Sequence, residues 1–294
     1  MNTVVLIAMG AAIGVAAEQS TSAGEPRQLT SDGLLKPDPV YWPGGEQIVY
    51  TVEAPTGRMR LVRQNLADGA TEYVHQREDL SDREPSVSSD GSKYAYNTVD
   101  GLSSRIVVRD VSQSRDILVP RGKVADWVNW PSLSPDGKQI VFTGGAAYLY
   151  KYDLVKAGGD ESLVQLSEAD APYSDLWPRF SPDGERIVFS SRRDNDFEIY
   201  VMNADGENQR RLTESPGVDM HPACSPDSER IAFTSNRDGN YEVYLMQADG
   251  SNPRRLTNHP ERDDFPAWHP DGQHLVIVSE REGRFDLYLI EVPQ

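Results

Sequence analysis

The chain repeats itself. Residues 177–213 align without a gap on residues 221–257, at an offset of 44, with 22 of 37 positions identical. A Ser-Pro-Asp-Gly turn extends the repeat through the rest of the sequence. Its last position falls at Gly45, Gly91, Gly137, Gly184, Ser228 and Gly272, in steps of 46, 46, 47, 44 and 44. The first copy is degenerate (Trp42-Pro43-Gly44-Gly45), and the fifth has Ser228 where the others have Gly. A unit this short cannot bury an apolar face alone, so units must stack. Roughly 44 residues is the length of a four-stranded propeller blade.

The unit around Gly184 predicts four strands. Pro178 to Phe180 enters, Ser181-Pro182-Asp183-Gly184 turns, and Arg186 to Ser190 returns as an apolar run. Proline pre-sets φ in such a turn, and Gly accepts φ > 0. Arg193 to Asp196 is a loop, Phe197 to Met202 a third strand, Ala204-Asp205-Gly206 a turn, and Arg210 to Thr213 an outer strand. No segment sustains a 3.6-residue period, so the fold class is all-β, a six-bladed propeller. The last unit stops at its third strand, Leu287 to Val292, while Pro26-Arg27-Gln28-Leu29-Thr30 matches the outer strand Pro253-Arg254-Arg255-Leu256-Thr257. The N-terminal segment is therefore expected to complete the last blade and close the ring. Residues 25–294 then form one domain.

Ahead of it, Val4 to Ala17 is apolar and ends in small residues, with no Lys or Arg before it. It reads as a signal peptide over 1–17, followed by a short linker at 18–24, since it is too short to span a bilayer. That places the mature chain in the periplasm or outside the cell, with no membrane insertion after signal removal. The charge, 29 Lys+Arg against 46 Asp+Glu, is −17. An acidic chain of this kind lacks the basic face that nucleic acid requires. One cysteine, Cys224, excludes an intramolecular disulfide.

The stretch Ser235-Asn236-Arg237-Asp238-Gly239-Asn240-Tyr241-Glu242-Val243-Tyr244-Leu245-Met246, followed by Ala248-Asp249-Gly250, resembles the WD-like repeat of the TolB-type propeller family. The likeness is strongest over 177–292 and looser over 38–154. It implies the propeller fold and a non-catalytic, exported role, engaging a protein or peptide partner of the cell envelope as a monomer. The first unit begins near Pro39, so the likeness is to the propeller of TolB without its preceding α/β domain. Similar repeats also occur in peptidase gating domains and in oligogalacturonate lyase-like enzymes, so the motif specifies fold rather than function.

No G-x-S-x-G, H-E-x-x-H, C-x-x-C, Walker A or G-x-G-x-x-G motif occurs. The turn aspartates Asp90, Asp136, Asp183, Asp227 and Asp271 recur at one blade position and read as architecture. So do His269, in the Ser position of its turn, and His274. His259 shares a face with His221, but reads as an exposed loop residue rather than a metal ligand. Function is expected where the repeat breaks. The residue before each inner-strand Pro reads Asp38, Glu84, Trp130, Trp177, His221 and Phe265 around the ring. With Asp219 and Asp263 from the linkers and Arg237 from a neighbouring loop, these are the candidate binding residues of an acidic, partly aromatic channel mouth. Asp82, Asp175, Asp264, Arg193 and Arg281 add to it. Such a mouth suits a cationic peptide segment, a sugar or a hydrated divalent cation such as calcium. No catalytic residue, metal ligand or cofactor is otherwise assigned. The alternative is a polysaccharide-active enzyme, a lyase or hydrolase, using His221 and the mouth carboxylates.

Overall fold

A computed structural model describes residues 25–122, 124, 127–156, 162–167 and 174–293. The signal peptide and linker expected over 1–24 lie outside the described residues. Blade 1 is β2 (Val40–Tyr41), β3 (Gln47–Glu53), β4 (Met59–Asn65) and β5 (Thr71–Tyr73), and β1 (Arg27–Gln28) precedes it. Blade 2 is β6 (Ser81–Val87), β7 (Lys93–Asp100), β8 (Ser103–Asp110) and β9 (Arg115–Leu118). Blade 3 is β10 (Val128–Leu133), β11 (Gln139–Gly144), β12 (Tyr148–Asp153) and β13 (Leu163–Gln165). Blade 4 is β14 (Asp175–Phe180), β15 (Arg186–Asp194), β16 (Asp196–Asn203) and β17 (Arg210–Arg211). Blade 5 is β18 (Asp219–Cys224), β19 (Arg230–Ser235), β20 (Glu242–Gln247) and β21 (Arg254–Arg255). Blade 6 is β22 (Asp263–Trp268), β23 (His274–Arg281), β24 (Arg284–Glu291) and, outermost, β1. All six sheets are four-stranded, and their strands pair antiparallel.

The expected closure is present. Arg27 pairs with Leu289 and Gln28 with Tyr288, so the N-terminal strand seals the last blade. This removes the open edge a five-and-three-quarter ring would expose. The turns also hold. Gly45, Gly91, Gly137, Gly184 and Gly272 take φ between 64° and 79°, and Ser228 takes the same conformation at 61°.

The core lies between blades rather than at the centre. Apolar residues on both faces of the middle strands meet those of the next blade. Phe142 and Ile106 pack between blades 2 and 3, Phe189 and Leu149 between 3 and 4, and Phe233 and Ile199 between 4 and 5. Val243 and Leu275 join blades 5 and 6, Ile48 and Leu287 join 6 and 1, and Leu61 and Tyr96 join 1 and 2. Each fully buried side chain of this size contributes about 1.5–3 kcal/mol. The interior edges of the blades are thus left free to carry polar chemistry around the axis.

Candidate functional site

Each of the inner strands β6, β10, β14, β18 and β22 breaks register once, between Arg83 and Ser86, Asn129 and Ser132, Leu176 and Arg179, Met220 and Ala223, and Asp264 and Ala267. At the break the residue before the proline turns left-handed: Glu84 (φ 58°), Trp130 (51°), Trp177 (52°), His221 (53°) and Phe265 (50°). Asp38, just before β2, does the same at 54°. Proline disfavours the right-handed helical region for the residue before it. The bulge then adds one residue and re-aims the side chain. Such a non-glycine conformation costs of order 1–3 kcal/mol each. The left-handed residue recurs in all six blades and the bulge in five, so both are architectural. The six side chains they present differ, and that difference is where the blades diverge.

Four of the six form a continuous aromatic arc. Trp130 and Trp177 have ring centroids 5.1 Å apart, and Trp177 meets His221 edge-on at 4.4 Å. His221 stacks on Phe265 at 4.0 Å and 21°. Asp38 and Glu84 complete the circle and are buried. Burial pushes the Glu84 carboxyl up to about 7, against the pull of Arg83. Burial also raises Asp38, with Arg179 and His221 opposing it. The Glu84 Oε2 accepts the Trp130 N–H at 2.6 Å, tying the acidic side of the ring to the aromatic side.

Arg179 is the residue that sequence reasoning missed. Its guanidinium donates to Asp38 Oδ1 at 3.4 Å, joining blade 4 to blade 1 across the axis. The corresponding inner-strand slots hold Val40, Ser86, Ser132, Ala223 and Ala267. A lone charge in a slot of small or apolar residues was the available signal. Asp38, Trp177, His221 and Phe265 line a cavity of about 190 Å³. Arg179 borders both it and a second cavity of about 180 Å³ beside Ser86, Ser132 and Pro135.

His221 is held from behind. Its Nδ1 donates to Asp264 Oδ1 at 2.6 Å, and that oxygen also accepts from Thr234 (2.7 Å) and from the Phe265 N–H (2.7 Å). Arg262 Nε donates to the other oxygen at 2.9 Å. Burial opposes ionisation of Asp264, but His221 and Arg262 hold its carboxyl well below the usual range. With Nδ1 committed, Nε2 is the nitrogen left for chemistry or for a ligand.

The expected linker acids Asp219, Asp263, Asp175 and Asp82 do not join this ring. Asp219 is fully buried against Arg237 (2.8 Å), and Asp263 is buried against Arg281 (2.8 Å). Asp175 pairs likewise with Arg193 at 3.1 Å. In each case the arginine also lies over an aromatic ring of its own blade, as Arg237 lies over Tyr244 at 4.7 Å. Asp219, Asp263 and Arg237 therefore clamp blades from within, and their repetition marks a scaffold. Asp82 is similarly bound by Arg77 and His75. His259 closes a turn, its Nδ1 accepting the Glu261 N–H at 3.1 Å. Asp194, at the end of the second strand of blade 4, pairs with Arg211 at 3.5 Å and accepts the Tyr200 hydroxyl.

Residues 161–293 match the sequence model of the TolB β-propeller domain. Over that stretch, just under half of the chain, the sequence is similar to the TolB-type propeller. A putative TolB from Agrobacterium tumefaciens superposes with a TM-score of 0.68 at 23% identity, over 90% of this chain and 93% of that one. TolB from Acinetobacter baumannii gives 0.65 at 22%, over 84% of this chain, and the propeller spans 64% of that protein's length. An oligogalacturonate lyase in complex with manganese gives 0.63 at 16%, over 87% of this chain and 77% of that one. At these identities the likenesses establish the fold. No match was found among curated proteins.

Proposed function

We propose that this TolB-type propeller is a non-catalytic binding module of the cell envelope that takes a protein or peptide segment at its channel mouth. One observation carries the reading: six left-handed residues around the ring present Trp130, Trp177, His221 and Phe265 as one arc beside two buried carboxylates, Asp38 and Glu84. Aromatic faces beside focused negative charge favour a cationic or amphipathic side chain. The cavity of about 190 Å³ is below the roughly 300–1,000 Å³ of sites that enclose a drug-sized ligand. It suits one inserted side chain of a segment lying across the mouth better than an enclosed oligosaccharide.

The test is capture of a discrete partner from an envelope fraction, with the same bait carrying Trp130→Asn and Trp177→Asn. Asn removes the rings yet tolerates φ > 0, so the bulges survive. Loss of the partner by about tenfold or more, with an unchanged melting temperature, supports the reading. A partner retained at full strength by the folded variant overturns it.

A second reading, a polysaccharide-active enzyme, is favoured by the Asp264–His221 pair at 2.6 Å and by the fold shared with a lyase. His221 would act as base through Nε2, with Asp38 or Glu84 assisting. Turnover of an acidic oligosaccharide that disappears in His221→Asn would establish it.

A further inference from the structure

On the opposite side of the ring, the turn of blade 6 departs from the other five at two positions at once. The residue opening the turn is Ser88, Ser134, Ser181 or Ser225 in blades 2 to 5, and Trp42 in blade 1, but His269 here. The residue starting the second strand is Gln47, Lys93, Gln139, Arg186 or Arg230 elsewhere, but His274 here. Both imidazoles converge on the turn aspartate. The Asp271 Oδ2 lies 2.7 Å from His274 Nδ1 and 3.0 Å from His269 Nδ1. One ligand atom from each of the three residues falls within 4.8 Å of the others.

The His269 Nδ1 lies within reach of both the Asp271 backbone N–H, at 3.2 Å, and the Asp271 carboxylate, at 3.0 Å, so the three side chains already point their ligand atoms at one spot. The ring of His269 is also fixed in place. It meets Tyr41 edge-on at 4.8 Å, and a Cβ at Gly45 would sit 2.4 Å from its Nε2, so only glycine there leaves room. His274 and Asp271 are about one-third exposed, which leaves an entry path and a side open to water.

We propose that His269, Asp271 and His274 form a divalent transition-metal site, with zinc as the reference ion. Two imidazoles and one carboxylate are a ligand set suited to zinc, copper, nickel or iron rather than to calcium or magnesium. The remaining positions fall to water. None of the three residues lines the cavity at the mouth, and the site does not depend on the function proposed for it. Through His269 it adjoins Tyr41 and Gly45 of blade 1, so a bound ion would stiffen the contact between the first and last blades.

The test uses the untagged full chain, freed of metal with a chelator. Zinc titrated against a chromogenic competitor should bind at one ion per chain, and cobalt should give the visible absorption of a nitrogen- and oxygen-ligated site. The double variant His269→Ser with His274→Arg recreates Ser225 and Arg230 of blade 5, a turn this fold already accommodates. It should fold, bind zinc about 100-fold more weakly, and lose the cobalt spectrum. His274→Arg alone provides the same test if the double variant fails to fold. His259→Asn should bind as the native chain does. Absence of stoichiometric zinc in the native chain, or equal binding by the folded turn variants, would overturn the proposal.

Discussion

Glu84 shows at the scale of one residue how the repeat is turned to individual use. Its backbone does what Trp130, Trp177 and His221 do, but its side chain is a buried acid with a carboxyl near 7. The sign of the consequence follows from linkage. The unfolded chain loses this proton near 4.5 and the folded chain near 7, so between those values the folded state holds more protons. Stability from this group is full below about pH 4.5 and falls as pH rises to 7, by at most about 3 kcal/mol. Asp90, held to about 2 by the Ser92 N–H, titrates below this window. Melting temperatures of the native chain and Glu84→Gln, taken from pH 5 to 8, should therefore diverge, with the variant flatter and relatively more stable at pH 8. Parallel curves would show that Glu84 does not titrate there. The position of Glu84 was readable from the proline after it, since bulge and proline recur together. Its environment was not, because the charges that act on the buried carboxyl, Arg83, Asp38 and Arg179, arrive from three blades.

Among elements, the third strands carry a second device that the sequence displayed without explaining. Glu198 and Glu242 sit at one blade position, and each takes in the same partners from the outer strand. The Glu242 carboxylate accepts from Arg255 (2.6 Å), Thr257 (2.6 Å) and the His259 N–H (2.9 Å), and Glu198 repeats this with Arg211, Thr213 and Ser215. A two-residue outer strand has too few ladder bonds to hold itself, and the buried carboxylate supplies the rest. Removing one member of a buried charged pair costs about 3–5 kcal/mol. Glu242→Ala should lower the urea midpoint accordingly, and Thr257→Val, which removes the hydroxyl that donates to Glu242 and accepts the Val243 N–H at 2.9 Å, should cost less, about 2 kcal/mol. Equal costs would mean that packing, not the ionic lock, retains β21. Repetition made Glu242, Arg255 and Thr257 visible as a pattern, but strand pairing was needed to bring them together. The same gap hid the pairing of Asp219 with Arg237 and of Asp263 with Arg281. Periodic acids and arginines look alike whether they clamp a blade or ring a channel, and only Arg179, which breaks its own column, carried a distinguishing signal.

For the molecule as a whole, the decisive contact is the one that turns a row of blades into a ring. Only two residue pairs join β1 to β24, and the same lock backs them up. The Asp286 carboxylate accepts from Thr30 (2.8 Å), Gln28 (3.3 Å), the Gly33 N–H (3.2 Å) and the fully buried Lys36 (3.4 Å). The seam thus copies an interior blade, with Gln28 and Thr30 in the roles of Arg255 and Thr257. If opening of this seam initiates unfolding, fixing it covalently should stabilise the entire propeller. Arg27 and Leu289 are register partners across the seam, within reach of a disulfide, whereas their side chains take no part in the Asp286 lock. Native Cys224 will not compete, since burial pushes its thiol up to about 12. A bridge between Arg27→Cys and Leu289→Cys closes nearly the whole chain into a loop, for which chain entropy allows up to about 5 kcal/mol. The oxidised variant should melt well above its own reduced form and unfold more slowly in urea. Equal melting of the two forms would place the weak point elsewhere in the ring, at one of the interfaces between interior blades.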